Sequence, residues 1–310
     1  MICFAAMVIR ILLRLVGGVV GSCLLFSVGA AAPLRVVTTT SMVTDLVRQV
    51  GGDHIVVEGL MGPGVDPHLY KPSASDVIKL QKADVVFYNG LLLEGKMTDL
   101  FERMARGKRV VRALADSVSP DRLLRPTEFE GHPDPHLWFD VELWAEAVTS
   151  VVDGLAKADP AHADDYRRRG ELVRASLREL HSWAKAKAAE LPPERRILIT
   201  SHDAYNYFGR AYGFEVVGLQ GISTVSEAGL ADMAALVDLI KARGLKAIFV
   251  ESSVPPATIR RIAQDAGVKV GGELFSDAMG ERGQIENGYD LGTYEGMIKH
   301  NLNTIVEALK

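Results

Sequence analysis

A short phrase of residue types that suit metal binding occurs twice in the sequence. Asp66-Pro67-His68-Leu69-Tyr70 returns as Asp134-Pro135-His136-Leu137-Trp138. Proline fixes its own φ and keeps the preceding aspartate extended, so each histidine is presented from a stiff loop. A metal ion needs imidazole nitrogens held in fixed directions, and such loops can supply them. The alternative is a pair of unrelated turns, since Asp-Pro is a common turn dipeptide.

Three further candidate ligands follow predicted strands in the second half of the chain. His202 follows one apolar run, Glu251 closes a second and Asp277 follows a third. Because ligand sites form beyond the carboxyl ends of parallel strands, these side chains can meet the two repeated histidines in a cleft. The residues alone leave open whether Glu251 ligates a metal or orients a ligand histidine, and we favour orientation. His132 lacks the Leu-aromatic context of the repeat, and we expect it to take no part.

The elements that must position these residues alternate between apolar β-branched runs and helical patterns. This alternation is typical of βα units with parallel sheets, and 310 residues exceed the usual size of one core. Residues 161–190 contain no proline and carry apolar residues at helical spacing. We therefore predict an α/β protein with two lobes, each a mostly parallel β-sheet flanked by helices, joined by one long rigid helix. The predicted segments are a signal peptide (1–32), an N-terminal lobe (33–160), the linking helix (161–190) and a C-terminal lobe (191–310).

The first 32 residues have the pattern of an export signal. Arg10 and Arg14 precede an apolar run, Leu15–Val28, which ends in small residues and is short for a membrane span. We expect cleavage after export to the periplasm; the alternatives are an uncleaved anchor or a lipid on Cys23. Both cysteines of the chain, Cys3 and Cys23, fall within this segment, so the predicted mature protein depends on no disulfide and no thiolate ligand.

The chain resembles the TroA-type family (cluster A-I) of zinc- and manganese-binding receptors of ABC importers. The resemblance covers almost all of the predicted mature chain and implies that the four metal ligands are His68, His136, His202 and Asp277. It also implies two lobes bridged by one rigid helix. The motifs that carry it are Gly62-Pro63-Gly64-Val65-Asp66-Pro67-His68, Asp134-Pro135-His136-Leu137-Trp138-Phe139-Asp140, Ser201-His202-Asp203-Ala204, Gly221-Ile222-Ser223-Thr224, Glu251-Ser252-Ser253 and Gly271-Gly272-Glu273-Leu274-Phe275-Ser276-Asp277-Ala278-Met279-Gly280.

The resemblance implies a non-enzymatic receptor that captures Zn²⁺ or Mn²⁺ as cargo and delivers it to an ABC-transporter membrane permease. Three imidazoles and a carboxylate suit such borderline ions, Fe²⁺ included, better than Mg²⁺ or Ca²⁺. Dedicated zinc importers of the family carry a histidine-rich loop and manganese-linked members a glutamate at the third ligand position. This chain has only His132 in that loop and His202 at that position, so it matches neither group.

Two further expectations concern partners and the rival function. The formal charge of −4 predicts no nucleic-acid partner, and we expect a monomer. The alternative function is a periplasmic zinc metallohydrolase. Catalytic zinc usually keeps three protein ligands and one position for water, whereas four side chains would close the coordination shell.

Overall fold

Parallel strands alternate with helices along the chain, and the predicted α/β class is confirmed. The computed structural model describes residues 32–310, so all but the last residue of the predicted signal lies outside the described residues. The strands are β1 (Leu34–Thr38), β2 (Ile55–Gly59), β3 (Val85–Tyr88), β4 (Val110–Ala113), β5 (Ile197–His202), β6 (Glu215–Gln220), β7 (Ala247–Glu251), β8 (Lys269–Leu274), β9 (Ile285–Glu286) and β10 (Tyr289–Asp290). The helices are α1 (Ser41–Gly51), α2 (Ala74–Lys82), α3 (Thr98–Ala105), α4 (Val141–Ala158), α5 (Ala163–Ala188), α6 (Asn206–Tyr212), α7 (Leu230–Ala242), α8 (Ala257–Ala266) and α9 (Tyr294–Leu309). Among these described helices, none combines the length and the apolar character needed to cross a membrane.

The sheets bring the carboxyl ends of their strands to one edge in each half of the chain. In the N-terminal half, residues 33–160, the parallel strand order is β2-β1-β3-β4. In the C-terminal half, residues 191–310, β5 pairs with β6 and β7 with β8, again in parallel, and β5 lies beside β7. Loops that follow parallel strands therefore gather at a common edge in each half.

The long helix predicted for residues 161–190 is α5, which runs from Ala163 to Ala188. Its buried face carries Tyr166, Val173, Leu177, Leu180 and Ala184, the residues whose helical spacing indicated the helix. At 1.5 Å per residue, 26 residues span about 39 Å. Gly170 permits close packing on α4, since a Cβ there would stand 2.6 Å from a methyl carbon of Val152.

One hydrophobic core joins the two halves of the chain. It is built from α1, α4 and α5 together with α6 and α9, and it includes Trp138, Trp144, Tyr205 and Tyr294, each fully buried. Polar contacts reinforce this shared core: the Tyr294 hydroxyl donates to the Trp138 carbonyl at 2.6 Å, and the Tyr294 amide donates to Asp45 of α1 at 3.0 Å. Relative movement of the halves would therefore have to disturb buried packing.

A buried carboxylate shapes the loop that follows β3. Glu94 accepts hydrogen bonds from the Thr39 hydroxyl (2.8 Å), the Asn89 amide (2.6 Å) and the Gly90 amide (3.2 Å). Between these groups Leu91 and Leu92 adopt left-handed backbone, with φ of 55° and 66°. Because that conformation costs free energy in leucine, the hydrogen bonds to Glu94 must hold it. Burial raises the pKa of Glu94, and the three hydrogen bonds only partly oppose that effect.

We predict that Glu94→Gln lowers the free energy of unfolding by about 2 kcal/mol or more, because an amide NH₂ would face backbone N–H donors in a buried place. Urea denaturation measures the change. The matched control is Glu102→Gln on the exposed face of α3, with an expected change within about 0.5 kcal/mol. Equal denaturation midpoints for the two variants would show that Glu94 does not stabilise this loop.

Candidate metal centre

The structure brings the four predicted ligand residues together between the halves of the chain. His68 lies in the loop after β2, His136 precedes α4, His202 is the last residue of β5 and Asp277 follows β8. All four are buried, and each offers a ligand atom within 4.8 Å of every other. His132, by contrast, is exposed and makes an edge contact with the ring of Phe129.

The ligand atoms lie close enough together to surround a single ion. His136 Nε2 lies 3.4 Å from one oxygen of Asp277, and His202 Nε2 and His68 Nε2 lie 3.2 Å and 3.9 Å from the other. The Nε2 atoms of His68 and His136 are 3.3 Å apart. A tetrahedron with metal–ligand bonds of about 2.05 Å has edges of about 3.3 Å, so three of these separations are near that length and the His68–Asp277 separation of 3.9 Å is longer.

Each repeated phrase forms the same local turn. Asp66 accepts the backbone N–H of His68 at 2.8 Å, and Asp134 accepts that of His136 at 3.0 Å. Asp134 also accepts from His136 Nδ1 at 2.7 Å, which directs Nε2 towards the centre. From the sequence, these aspartates are expected only to belong to a stiff loop. Their identical position two residues before each histidine was the signal of this hydrogen bond.

A second carboxylate accepts hydrogen bonds from His202. Glu251, at the end of β7, accepts the backbone N–H of His202 at 2.9 Å and its Nδ1 at 2.6 Å. It therefore occupies the orienting position that we favoured for it, on the far side of the imidazole from Asp277. Trp138 adds a further link, since its indole N–H donates to the Ser276 carbonyl next to Asp277 at 3.1 Å. No sequence signal indicated this last contact.

The pKa values of the three histidines in the centre are shifted in different directions. Burial lowers the pKa of His68 to about 3, against the opposing attraction of Asp277. Burial also disfavours the cation at His136, but Asp134 and Asp277 outweigh it and raise the pKa of His136 to about 9. For His202 burial is outweighed by Glu251 and Asp277, so its pKa lies well above its usual range. Although burial would raise the pKa of Asp277, His202 and His136 hold it well below its usual range.

Several polar atoms of the centre lie at ion-pair distance from one another but make no hydrogen bond of good geometry among the described residues. They are Nε2 of His202 and both carboxylate oxygens of Asp277. Unpaired polar atoms in a buried place cost free energy, and an ion bound between them would satisfy them all. The donor set of three nitrogens and one carboxylate is one that zinc and similar transition ions accept. If all four side chains bound one ion, they would complete a tetrahedron and leave no coordination position for a nucleophilic water.

Comparison with known proteins agrees with this geometry. Residues 36–308 match the family described as ZnuA, "Zinc-uptake complex component A periplasmic". The "Manganese-binding lipoprotein MntA" of Bacillus subtilis is 45% identical over 282 residues, which are 89% of this chain and 90% of that protein. The "Zinc-binding protein TroA" of Treponema pallidum is 46% identical over 279 residues, 88% of each chain.

A third relative and a solved structure extend the comparison. The "Metal ABC transporter substrate-binding lipoprotein SloC" of Streptococcus mutans is 30% identical over 281 residues, 89% of this chain and 90% of that protein. The solved structure of the periplasmic zinc-binding protein TroA from Treponema pallidum superposes with a TM-score of 0.84 at 44% identity, covering 89% of this chain and 99% of that chain. This chain therefore belongs to the ZnuA family, whose members are substrate-binding receptors of metal importers and not enzymes.

Proposed function

We propose that this protein is an extracytoplasmic receptor that captures one divalent transition metal ion and delivers it to an ABC-transporter permease. The ligands would be His68, His136, His202 and Asp277. The observation that carries the proposal is the buried cluster of these four groups, whose ligand atoms all lie within 4.8 Å of one another. The relatives named for zinc or manganese binding support the same class of cargo.

The donor set decides how the candidate metals rank. By the Irving–Williams order, three imidazoles and a carboxylate bind Zn²⁺ more tightly than Fe²⁺ or Mn²⁺. Zinc is therefore the strongest binder in direct competition, while manganese is captured where zinc is scarce. Metal analysis of protein isolated from its native compartment identifies the cargo, and a metal-free protein there would contradict the proposal.

We also propose that the receptor acts outside the cytoplasm. Relatives described as lipoproteins or as periplasmic support export, with residues 1–32 as the signal and Cys23 or an uncleaved signal as alternative anchors. We expect the protein to act as a monomer without a nucleic-acid partner, in keeping with its acidic charge. Its partner is the permease that accepts the ion.

We predict that His136→Ala and His202→Ala each weaken zinc binding by at least about a hundredfold, since a lost ligand costs more than a lost orienting group. His68→Ala and Asp277→Ala should weaken binding as well. Competition with a fluorescent chelator measures the affinity. His132→Ala removes an exposed imidazole of the same chemistry and should leave the affinity unchanged. A loss for His132→Ala comparable to that for His136→Ala would show that the ligand set is wrong.

We predict that zinc affinity rises with pH up to about 9 and does not level off near the ordinary histidine pKa of about 6.5. His136 and His202 have raised pKa values in the metal-free protein, so zinc must displace a proton from each; His68 is already neutral. Each displaced proton makes the affinity fall about tenfold per pH unit below the raised pKa.

Calorimetry in buffers of different ionisation enthalpy measures the protons released per zinc, and the expected value at pH 7.5 approaches two. His132→Ala is again the control and should release the same number. Release of no protons at pH 7.5, with an affinity that is constant above pH 7, would contradict the raised pKa values.

We also propose the division of the chain into two lobes (33–160 and 191–310) and a linking helix (161–190). The shared core and the unbroken helix α5 favour small rearrangements on binding. Small-angle X-ray scattering curves of metal-free and zinc-loaded protein should therefore nearly coincide. A marked decrease in the radius of gyration on loading would show that the lobes close like a hinge.

A further inference from the structure

The two repeated phrases share a contact that reaches across the molecule. In each phrase the aspartate uses one carboxylate oxygen for the turn that holds its histidine. The other oxygen accepts a hydrogen bond from the C-terminal half: Asp66 accepts from the Thr224 hydroxyl at 2.6 Å, and Asp134 from the Asn206 amide at 3.2 Å. Each histidine loop of the N-terminal half is therefore tied through its aspartate to the opposite half.

The two hydrogen bonds between the halves differ in how deeply they are buried. Asp134 is fully buried, and its backbone carbonyl accepts a second bond, from the buried Tyr207 hydroxyl at 3.0 Å. Asp66 and Thr224 border a cavity of about 390 Å³ whose other walls include Leu69 and Glu227. Leu69 is 53% exposed. The hydrogen bond at Asp134 therefore lies within the core, whereas the hydrogen bond at Asp66 lies at the rim of the core, beside the cavity.

The histidine held at the rim is also the least supported of the three. His136 and His202 are fully buried, and each has a carboxylate behind its Nδ1 at 2.7 Å and 2.6 Å. His68 retains 9% exposure, and within residues 32–310 no carboxylate pairs with its Nδ1. Its orientation therefore depends on the turn at Asp66, and hence on whatever fixes Asp66.

We propose that the Thr224–Asp66 hydrogen bond is a latch that sets the rate of metal release. It joins residues 221–229 of the C-terminal half to the His68 loop, residues 62–70. With the latch formed, Asp66 keeps the backbone of His68 in place and its imidazole on the ion. Once the latch opens, the loop is free to move towards the cavity and His68 can leave the ion, which keeps only three protein ligands. This inference rests on the proposed function, because it concerns the same ion.

The test compares variants of Thr224 in the zinc-loaded protein. Thr224→Val removes the hydroxyl and keeps the branched shape, whereas Thr224→Ser keeps the hydroxyl. Thr258→Val is the matched control, since Thr258 lines the same cavity and is exposed. Stopped-flow transfer of zinc to excess chelator gives the dissociation rate, and the melting temperature of the metal-free protein reports the fold.

We expect Thr224→Val to release zinc about tenfold faster than the unaltered chain, as a hydrogen bond to a charged acceptor is worth about that factor. Thr224→Ser and Thr258→Val should release zinc at the unaltered rate, and the metal-free melting temperatures should agree. Equal rates for all four proteins would overturn the latch. So would the same acceleration in Thr258→Val, which would indicate general loosening around the cavity.

A double-mutant cycle isolates the bond itself. Asp66→Ala alone should also speed release, and Thr224→Val should add little to it, because the acceptor of the Thr224 hydroxyl is already gone. Full additivity would mean that the two residues act separately and would overturn the proposal. If the unaltered protein binds no zinc at all, the proposed function fails first, and the result differs from an unchanged release rate.

Discussion

The burial of charge at the centre is the constraint that the surrounding structure must satisfy. Asp277 stands fully buried between two imidazoles, and the carboxylates of Asp134 and Glu251 stand behind them. The raised pKa values of His136 and His202 favour a proton on each in the metal-free protein. A divalent ion that displaces two protons leaves the charge of the centre unchanged. Because burying an uncompensated charge is costly, this exchange allows one scaffold to accommodate both the metal-free and the loaded state.

The carboxylates that orient the histidines belong to a hydrogen-bond network that extends into other parts of the fold. Asp134 holds both the backbone and the ring of His136, and Glu251 does the same for His202. The Asn89 side chain fixes the turn further by donating to the Pro135 carbonyl at 3.0 Å, and the amide of Asn89 is in turn held by buried Glu94. The hydrogen bonds of the centre thus continue into the loop after β3, whose backbone is strained.

The shared core holds these contacts in place, and the proposed latch lies at its rim. Helices α4, α5 and α9 pack both halves together, so two of the histidines sit where movement would disturb the core. The third, His68, is in the loop held by the Thr224–Asp66 bond beside a cavity. A receptor has to bind its ion tightly and yet release it to a partner. In the proposed receptor, two fixed histidines and one at the edge would meet both demands.

Features that depend on near neighbours and on residue type could be predicted from the sequence. The Asp-Pro-His phrases, the position of His202 and Asp277 after apolar runs, and the helical spacing of α5 are local patterns, because side-chain chemistry, proline stiffness and helix periodicity act within a few residues. From these the α/β class, the long helix and the set of converging side chains followed. The resemblance then selected Asp277 over Glu251 as the expected fourth ligand.

The hydrogen-bond partners of those side chains depend on the long-range packing of the fold. Glu251 meets His202 from 49 residues away, Asp66 meets Thr224 from 158, and Glu94 reaches Thr39 from 55. Acidic side chains are numerous in this chain, and most of them lie on the surface, so composition does not single these out. Their roles arise from the way β5, β7 and the loops of both halves pack, and long-range packing leaves no regular spacing in the sequence.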